Sequence, residues 1–334
     1  MTEEIQQLKE ILFLPKEIAI ISHRNPDGDA IGSSFGLAGY LKKLHHKVHV
    51  IFPSEYSTTF RFIRDIEQAT IFDLEPDKAR KILDNADVIF CLDFSGLDRV
   101  DKLGEQIQFA KAKKIVIDHH LDPEPFPDIL FSDTEASSTS EMVFKVINDL
   151  GDMSKLDPII GEALFMGMIT DTGSFRYNTR PETYDAAAAL KRVGVDDYWL
   201  CNKIFNTQKE RHLRLLGHCL ANRMEIVSEY GVGIMWLTKQ DYQDFDIQRG
   251  DTEGIVNYML MIENVKMAAL ILEQPTIIKI SLRSKDDISV QEIAQKYFNG
   301  GGHKNASGGG VYASLKDVIH RLKKVIPEYL PKNN

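Results

Sequence analysis

Asp118-His119-His120 closes an apolar, β-branched run, Lys114-Ile115-Val116-Ile117. The run reads as a buried parallel strand, and an acid with two imidazoles at its carboxyl end sits where open α/β sheets bind ligands. Polar side chains there are costly to desolvate, so a metal, a substrate or one another must satisfy them. Alone, the tripeptide is equally a polar strand end with solvated histidines. His23, Asp27 and Asp29 share a second such place, the stretch His23-Arg24-Asn25-Pro26-Asp27-Gly28-Asp29 after another apolar run. Its Pro-Asp-Gly-Asp core predicts a tight turn, with Gly28 free to take a positive φ. Two carboxylates and an imidazole there suit a divalent cation, though Asp29 can equally be a helix cap. Asp93 follows a third apolar run and Asp171 a helical one; singly, each reads as a cap or turn residue. Together, His23, Asp27, Asp29, Asp93, His119 and Asp171 form a set in which each member ends an apolar segment. Two ions about 3.5–4 Å apart need shared carboxylates, and this set supplies them. His45-His46 has no preceding acid and lies among Lys42, Lys43 and Lys47, so we read it as solvated surface.

The elements that must position these residues alternate. Strands are expected at 17–22, 48–52, 87–92 and 114–117, with a small-residue, apolar helix from Ala30 to Leu44 between the first two. Strands alternating with helices argue a doubly wound, mainly parallel sheet. From Thr134 the pattern turns helical: Ser138 with Glu141 fits a capping box opening a helix to about Leu150. Further helices are expected at Pro158–Ile169 and from Pro181 to Val193, the last with proline at its start. A smaller mixed α/β domain follows, with strands at 224–227, 232–237, 265–272 and 276–283 and a closing helix at 314–326. The expected division is a catalytic domain at 1–190, a helical linker at 191–215 and a second domain at 216–334.

Late in the chain stands Gly300-Gly301-Gly302-His303-Lys304-Asn305-Ala306-Ser307-Gly308-Gly309-Gly310. Backbone N–H groups of such a loop can cradle an anion, with His303 and Lys304 adding positive charge. Arg283 can complete a phosphate clamp or be an edge-strand surface arginine.

Composition narrows the classes. With 334 residues, 43% hydrophobic and 27% charged, the chain is an ordinary globular protein of two domains. Its net charge of −9 argues against a partner of long nucleic acid, which needs a basic stripe. No apolar run approaches the roughly 18 residues of a membrane span, and the first residues lack a signal-peptide pattern. Cys91, Cys201 and Cys219 are not in CxxC spacing, so neither a disulfide framework nor a structural zinc site is expected. A reducing cytoplasm is the natural home.

The series His23-x3-Asp27-x-Asp29, Asp93, Asp118-His119-His120 and Asp171 resembles the four motifs of the DHH phosphoesterase superfamily. The stretch Gly300–Gly309 resembles the GGGHxxASG motif of its DHHA1 domain. The chain is most similar to the NrnA-type group, which degrades short oligoribonucleotides and dephosphorylates 3′-phosphoadenosine 5′-phosphate (pAp). The resemblance implies an active site in a cleft between the two domains and a bridging-hydroxide mechanism on two divalent ions, manganese first, with magnesium or cobalt as alternatives. His23, Asp27 and Asp93 would hold one ion; Asp29, Asp93, His119 and Asp171 would hold the other. His120 would face the substrate, with Asp118 behind, orienting a histidine ligand. Arg283, Gly301, Gly302, His303, Ser307 and Gly308 would grip short single-stranded RNA or a small nucleotide. The same resemblance leaves pyrophosphate, polyphosphate and linear or cyclic dinucleotides as alternative substrates, and leaves a homodimer open. A binding protein with a vestigial metal site is a further alternative, and the intact ligand inventory speaks against it.

Overall fold

β1 (Glu17–Ser22) sends Ile18 and Ile20 into one core layer and Ala19 and Ile21 into another. That is the period-two signature of a strand buried on both faces. The computed structural model that carries it describes residues 2–207, 209–248 and 250–333, with His303 described by its backbone alone. The chain separates into two compact units, Met1–Thr207 and Gln208–Asn334.

The first unit runs α1 (Glu3–Ile11), β1, α2 (Gly28–Lys43), β2 (Lys47–Phe52), β3 (Thr70–Ile71), α3 (Pro76–Asn85), β4 (Val88–Leu92), α4 (Leu103–Phe109), β5 (Lys113–Asp118), β6 (Ile129–Ser132), α5 (Thr139–Asp149), α6 (Pro158–Asp171), α7 (Pro181–Val193) and α8 (Asp197–Phe205). Its six strands are parallel throughout, in the order β3-β2-β1-β4-β5-β6. The strand order reverses between β1 and β4, the switch point outside which such sheets bind ligands. Helices α1, α2, α5 and α6 share a core with Ile18, Phe90 and Ile117 on one face; α3 and α4 pack with Ile21, Cys91 and Val116 on the other. The expected doubly wound sheet is therefore present. Sequence reading missed β3 and β6, which are two and four residues long and too short to show a period.

The second unit runs α9 (Glu210–Asn222), β7 (Met224–Val227), β8 (Val232–Leu237), α10 (Lys239–Asp244), α11 (Ile255–Leu260), β9 (Met267–Glu273), β10 (Ile278–Ser284), α12 (Val290–Tyr297), β11 (Gly301–His303), β12 (Ala306–Val311) and α13 (Leu315–Tyr329). Its sheet, β11-β12-β10-β9-β8-β7, is antiparallel except for the β8–β9 pair, which makes it the mixed α/β unit expected. Among the described residues, no helix is long and apolar enough to cross a membrane.

Three local expectations are corrected. The glycine-rich stretch is a hairpin, β11 and β12, rather than an open loop. Its glycines are spacers between backbones: a Cβ at Gly300 would lie 1.9 Å from the Gly308 carbonyl oxygen, and one at Gly309 would lie 2.3 Å from that of Phe298. Gly28 opens α2 in helical conformation, and the positive φ of that loop falls on Asn25 (54°). His46 is buried rather than solvated, its Nδ1 accepting the Lys16 N–H at 3.0 Å.

The contact of α2 with α6 does most to place the site. Along α2 small residues meet α6 so closely that a Cβ on Gly32 would stand 2.4 Å from the Ala163 carbonyl oxygen. Gly32→Ala is expected to cost about 1–3 kcal/mol by forcing the helices apart. Gly217→Ala in α9, where nothing lies within 4 Å of the new atom, should gain about 0.5–1 kcal/mol. Urea unfolding should move the two midpoints in opposite directions; a Gly32→Ala midpoint at or above the parent value would contradict the packing argument.

Candidate active site

Three neighbouring strands deliver most of the chemistry. His23 follows β1, Asp93 follows β4, and Asp118, His119 and His120 end or follow β5, so they gather beside the switch point. α2 adds Asp27 as its N-cap and Asp29 in its first turn, and α6 adds Asp171 as its last residue.

Asp27 serves twice. Its Oδ1 accepts the N–H groups of Asp29 and Ala30 at 3.0 and 3.1 Å, which is the helix cap. Its Oδ2 stands 3.7 Å from His23 Nε2. Asp29 is 1% exposed and caps a different helix: Thr139 N–H donates to its Oδ2 at 2.6 Å and Ser140 N–H to its Oδ1 at 2.9 Å. These are orphan amides at the start of α5, where the helix dipole favours negative charge. α6 crosses so tightly here that a Cβ on Gly167 would lie 2.6 Å from Asp29 Oδ1. Asp93 is buried with φ at 65°, an uncommon conformation for a residue with a side chain. Thr139 Oγ1 donates to its Oδ1 at 3.0 Å.

Both histidines of the set are turned by backbone carbonyls. His23 Nδ1 pairs with the Arg24 carbonyl oxygen at 2.9 Å and His119 Nδ1 with that of Ala136 at 3.2 Å. With Nδ1–H donating, each Nε2 keeps its lone pair, the usual arrangement of a metal-binding imidazole. His23 Nε2 lies 3.3 Å from Asp93 Oδ2; His119 Nε2 lies 3.6 Å from Asp93 Oδ1 and 3.5 Å from Asp171 Oδ2. These separations are long for hydrogen bonds and suit donor atoms sharing an ion at about 2.0–2.2 Å. Three groups have donor atoms within 4.8 Å of one another and could each hold an ion: His23-Asp27-Asp93, Asp29-His119-Asp171 and Asp93-His119-His120.

The electrostatics point the same way. Burial, then Asp29 and Asp27, push the Asp93 carboxyl well above its ordinary value. Burial raises Asp29 too, against the pull of His119. Asp171 is raised from 3.8 to about 8, by burial first and by Asp29 and Asp27 next. Carboxylates crowded like this hold protons until a cation replaces them. The donor set thus fits a divalent pair.

Asp118 does not orient a histidine of that set. Its Oδ1 pairs with His120 Nδ1 at 2.8 Å, and its Oδ2 is buried with no hydrogen-bond partner among the described residues. Burial lowers the basicity of His120, and the bond and charge of Asp118 outweigh it, so His120 is raised overall.

The other expected positions lie in the second unit. Arg283 is half-buried on β10, paired in the sheet with Ala306; Gly302 is opposite Ser307 and Gly301 opposite Gly308. Arg283 Nη1 donates to the Leu282 carbonyl oxygen at 2.9 Å, and among the described residues no carboxylate pairs with it. Burial presses its guanidinium below the ordinary range. Lys304 is tied to Asp287 Oδ1 at 2.8 Å, and the side chain of His303 lies outside the described residues. Sequence reading missed Ala136, Thr139 and Ser140, whose amides, carbonyl and hydroxyl touch the set. The hydroxyl run Ser137-Ser138-Thr139-Ser140 was their signal, and it reads as a helix cap alone.

Comparisons with known proteins bear on this arrangement. The description "DHH family, N-terminal domain" matches residues 17–168, and "DHHA1 domain" matches residues 230–330. The bifunctional oligoribonuclease and PAP phosphatase NrnA of Bacillus subtilis is 28% identical over 92% of this chain and 93% of its own. The cyclic-di-AMP phosphodiesterase PdeA of Listeria monocytogenes is also 28% identical, over 94% of this chain and 47% of its own length. The crystal structure of an exopolyphosphatase-related protein from Bacteroides fragilis superposes with a TM-score of 0.95 at 37% identity, covering 98% of both chains.

Raised carboxyls carry a pH consequence. Asp29, Asp93 and Asp171 are raised in the folded state, so the stability they contribute is complete below about pH 4 and is lost as pH rises, for Asp171 through about 8. The metal-free protein should therefore melt at a lower temperature at pH 8 than at pH 6, by roughly 2–4 °C per kcal/mol lost. Saturating manganese should raise the midpoint more at pH 8. Differential scanning fluorimetry with and without chelator checks both; a chelated midpoint that rises from pH 6 to pH 8 would refute it.

Proposed function

The chain belongs to the DHH family and carries a DHHA1 domain, and from that membership we propose that it hydrolyses short oligoribonucleotides to mononucleotides and pAp to AMP. At the coarser level it is a DHH-family phosphoesterase, a metal-dependent phosphoric ester hydrolase. The observation that carries the phosphoesterase reading is the convergence of acid and imidazole donors at one sheet edge, in three groups whose atoms each lie within 4.8 Å of one another. Similarity to NrnA over nearly the whole of both chains supports the substrate class. The net charge of −9 supports short substrates over long nucleic acid.

In this reading His23, Asp27 and Asp93 would hold one divalent ion and Asp29, His119 and Asp171 the other, with Asp93 shared; manganese is the first candidate. Bound there, the ions would draw charge from the phosphoryl oxygens and make water acidic enough to attack near neutral pH. The chain's own part is positional and protonic. Asp118 holds His120 by Nδ1 and favours its charged form, so His120 Nε2 would pass a proton to the departing oxygen. The same charge would steady the phosphoryl oxygens as they gain electron density. Arg283, without a carboxylate partner among the described residues, supports a grip on a terminal phosphate. Gly301, Gly302, His303, Ser307 and Gly308 would complete that grip.

Cyclic di-AMP is a second reading, favoured by the equal identity to PdeA. A manganese-supported panel of di- to pentanucleotide RNA, pAp, cyclic di-AMP and pyrophosphate separates the readings. Mononucleotide release from RNA and phosphate release from pAp should exceed turnover of the other two; turnover confined to cyclic di-AMP or pyrophosphate would overturn the proposal. His120→Ala should lower kcat about 10²–10⁴-fold. Arg283→Ala should raise KM about 10–100-fold, the worth of one charged hydrogen bond, with kcat nearly kept. The reverse pattern in steady-state kinetics would reassign both residues.

A further inference from the structure

Glu141, 3% exposed near the start of α5, gathers more donors than a helix cap needs. Its Oε2 accepts from the Ser137 N–H at 3.1 Å, from Ser137 Oγ at 2.6 Å and from Thr183 Oγ1 at 2.6 Å. Its Oε1 accepts from Arg180 Nε at 2.9 Å and Nη2 at 2.8 Å. A carboxylate offers about four lone-pair sites, so both oxygens are saturated. The ordinary capping role is already filled, because Ser138 Oγ accepts the Glu141 N–H at 3.0 Å. The expected capping box is thus only half formed, and the carboxylate reaches back to Ser137 instead.

The stretch held in this way, residues 136–140, touches three members of the donor set from its other side. The Ala136 carbonyl fixes His119, the Thr139 and Ser140 amides hold Asp29, and Thr139 Oγ1 donates to Asp93. Arg180 and Thr183, at the start of α7, anchor Glu141 to a further element, and Arg180 Nη2 also reaches Asp133 Oδ2 at 2.8 Å.

We infer that Glu141 is a positioning residue of the metal centre, fixing through residues 136–140 where His119, Asp29 and Asp93 present their donor atoms. The inference rests on the metal-centre reading above. Glu141→Gln keeps the shape but sets an amide NH2 against either the Ser137 and Thr183 donors or Arg180, so one side of the anchor must open.

The test is manganese titration of the metal-free protein, with amide hydrogen exchange at Thr139 and Ser140 as a readout independent of metal and activity. Absence of manganese binding by the parent protein would remove the metal centre itself. Given parent binding, Glu141→Gln should weaken it about 10–100-fold, the usual effect of losing an outer partner, and should speed exchange of both amides. Ser137→Ala, which loses one hydroxyl bond, should weaken it about fivefold and decides the matter if Glu141→Gln does not fold. Tyr40→Phe removes a hydroxyl bond to Asp152 remote from the set and should leave manganese affinity within about twofold, a margin under the worth of one hydrogen bond. Parent-like affinity and exchange in Glu141→Gln (or in Ser137→Ala if the former is unfolded), or an equal loss in Tyr40→Phe, overturns the inference.

Discussion

Asp29 and Asp93 are almost wholly shielded from water; Asp27 crowds both closely enough to raise their proton affinity, and Asp171 adds to the effect on Asp93. Charges of one sign in so dry a place repel unless protons or cations come between them. The architecture around them supplies the partial compensation that a protein can make from its own backbone. The first amides of α5 face Asp29, those of α2 face Asp27, and a threonine hydroxyl reaches Asp93. Even the left-handed backbone at Asp93 is a strain that the packed strand ends must hold.

The parallel sheet makes this crowding attainable. Residues distant in sequence come together because β1, β4 and β5 are neighbours that end on one edge. Asp171 arrives by a different route, through the close passage of α6 over α2. The glycines along α2 belong to this same design: they bring a second helix within reach of the first without a side chain between.

Much of this is visible in the linear chain. Long apolar runs announce β1, β4 and β5, and the acids and imidazoles at their ends stand out because such residues are costly beside a core. The contributions of backbone atoms are invisible there. Nothing in the letters Thr139 and Ser140 says that their amides will meet Asp29, and nothing in Ala136 says that its carbonyl will turn His119. Asp118 shows the limit of reasoning by adjacency: it lies next to His119 yet bonds His120. The glycine-rich stretch misleads for another reason. Glycine permits both an open loop and strands pressed together, and only the neighbouring Phe298 and Gly308 backbones decide between them.

The donor set spans nearly the whole first unit, from His23 at the end of its first strand to Asp171 at the close of α6. Contacts so distant along the chain form late, since loop closure must be met before they return any energy. A nascent chain emerging from its N-terminus would carry β1, β4 and β5 well before α6 could dock. The donor set is therefore incomplete until α6, which ends about halfway along the chain, is in place.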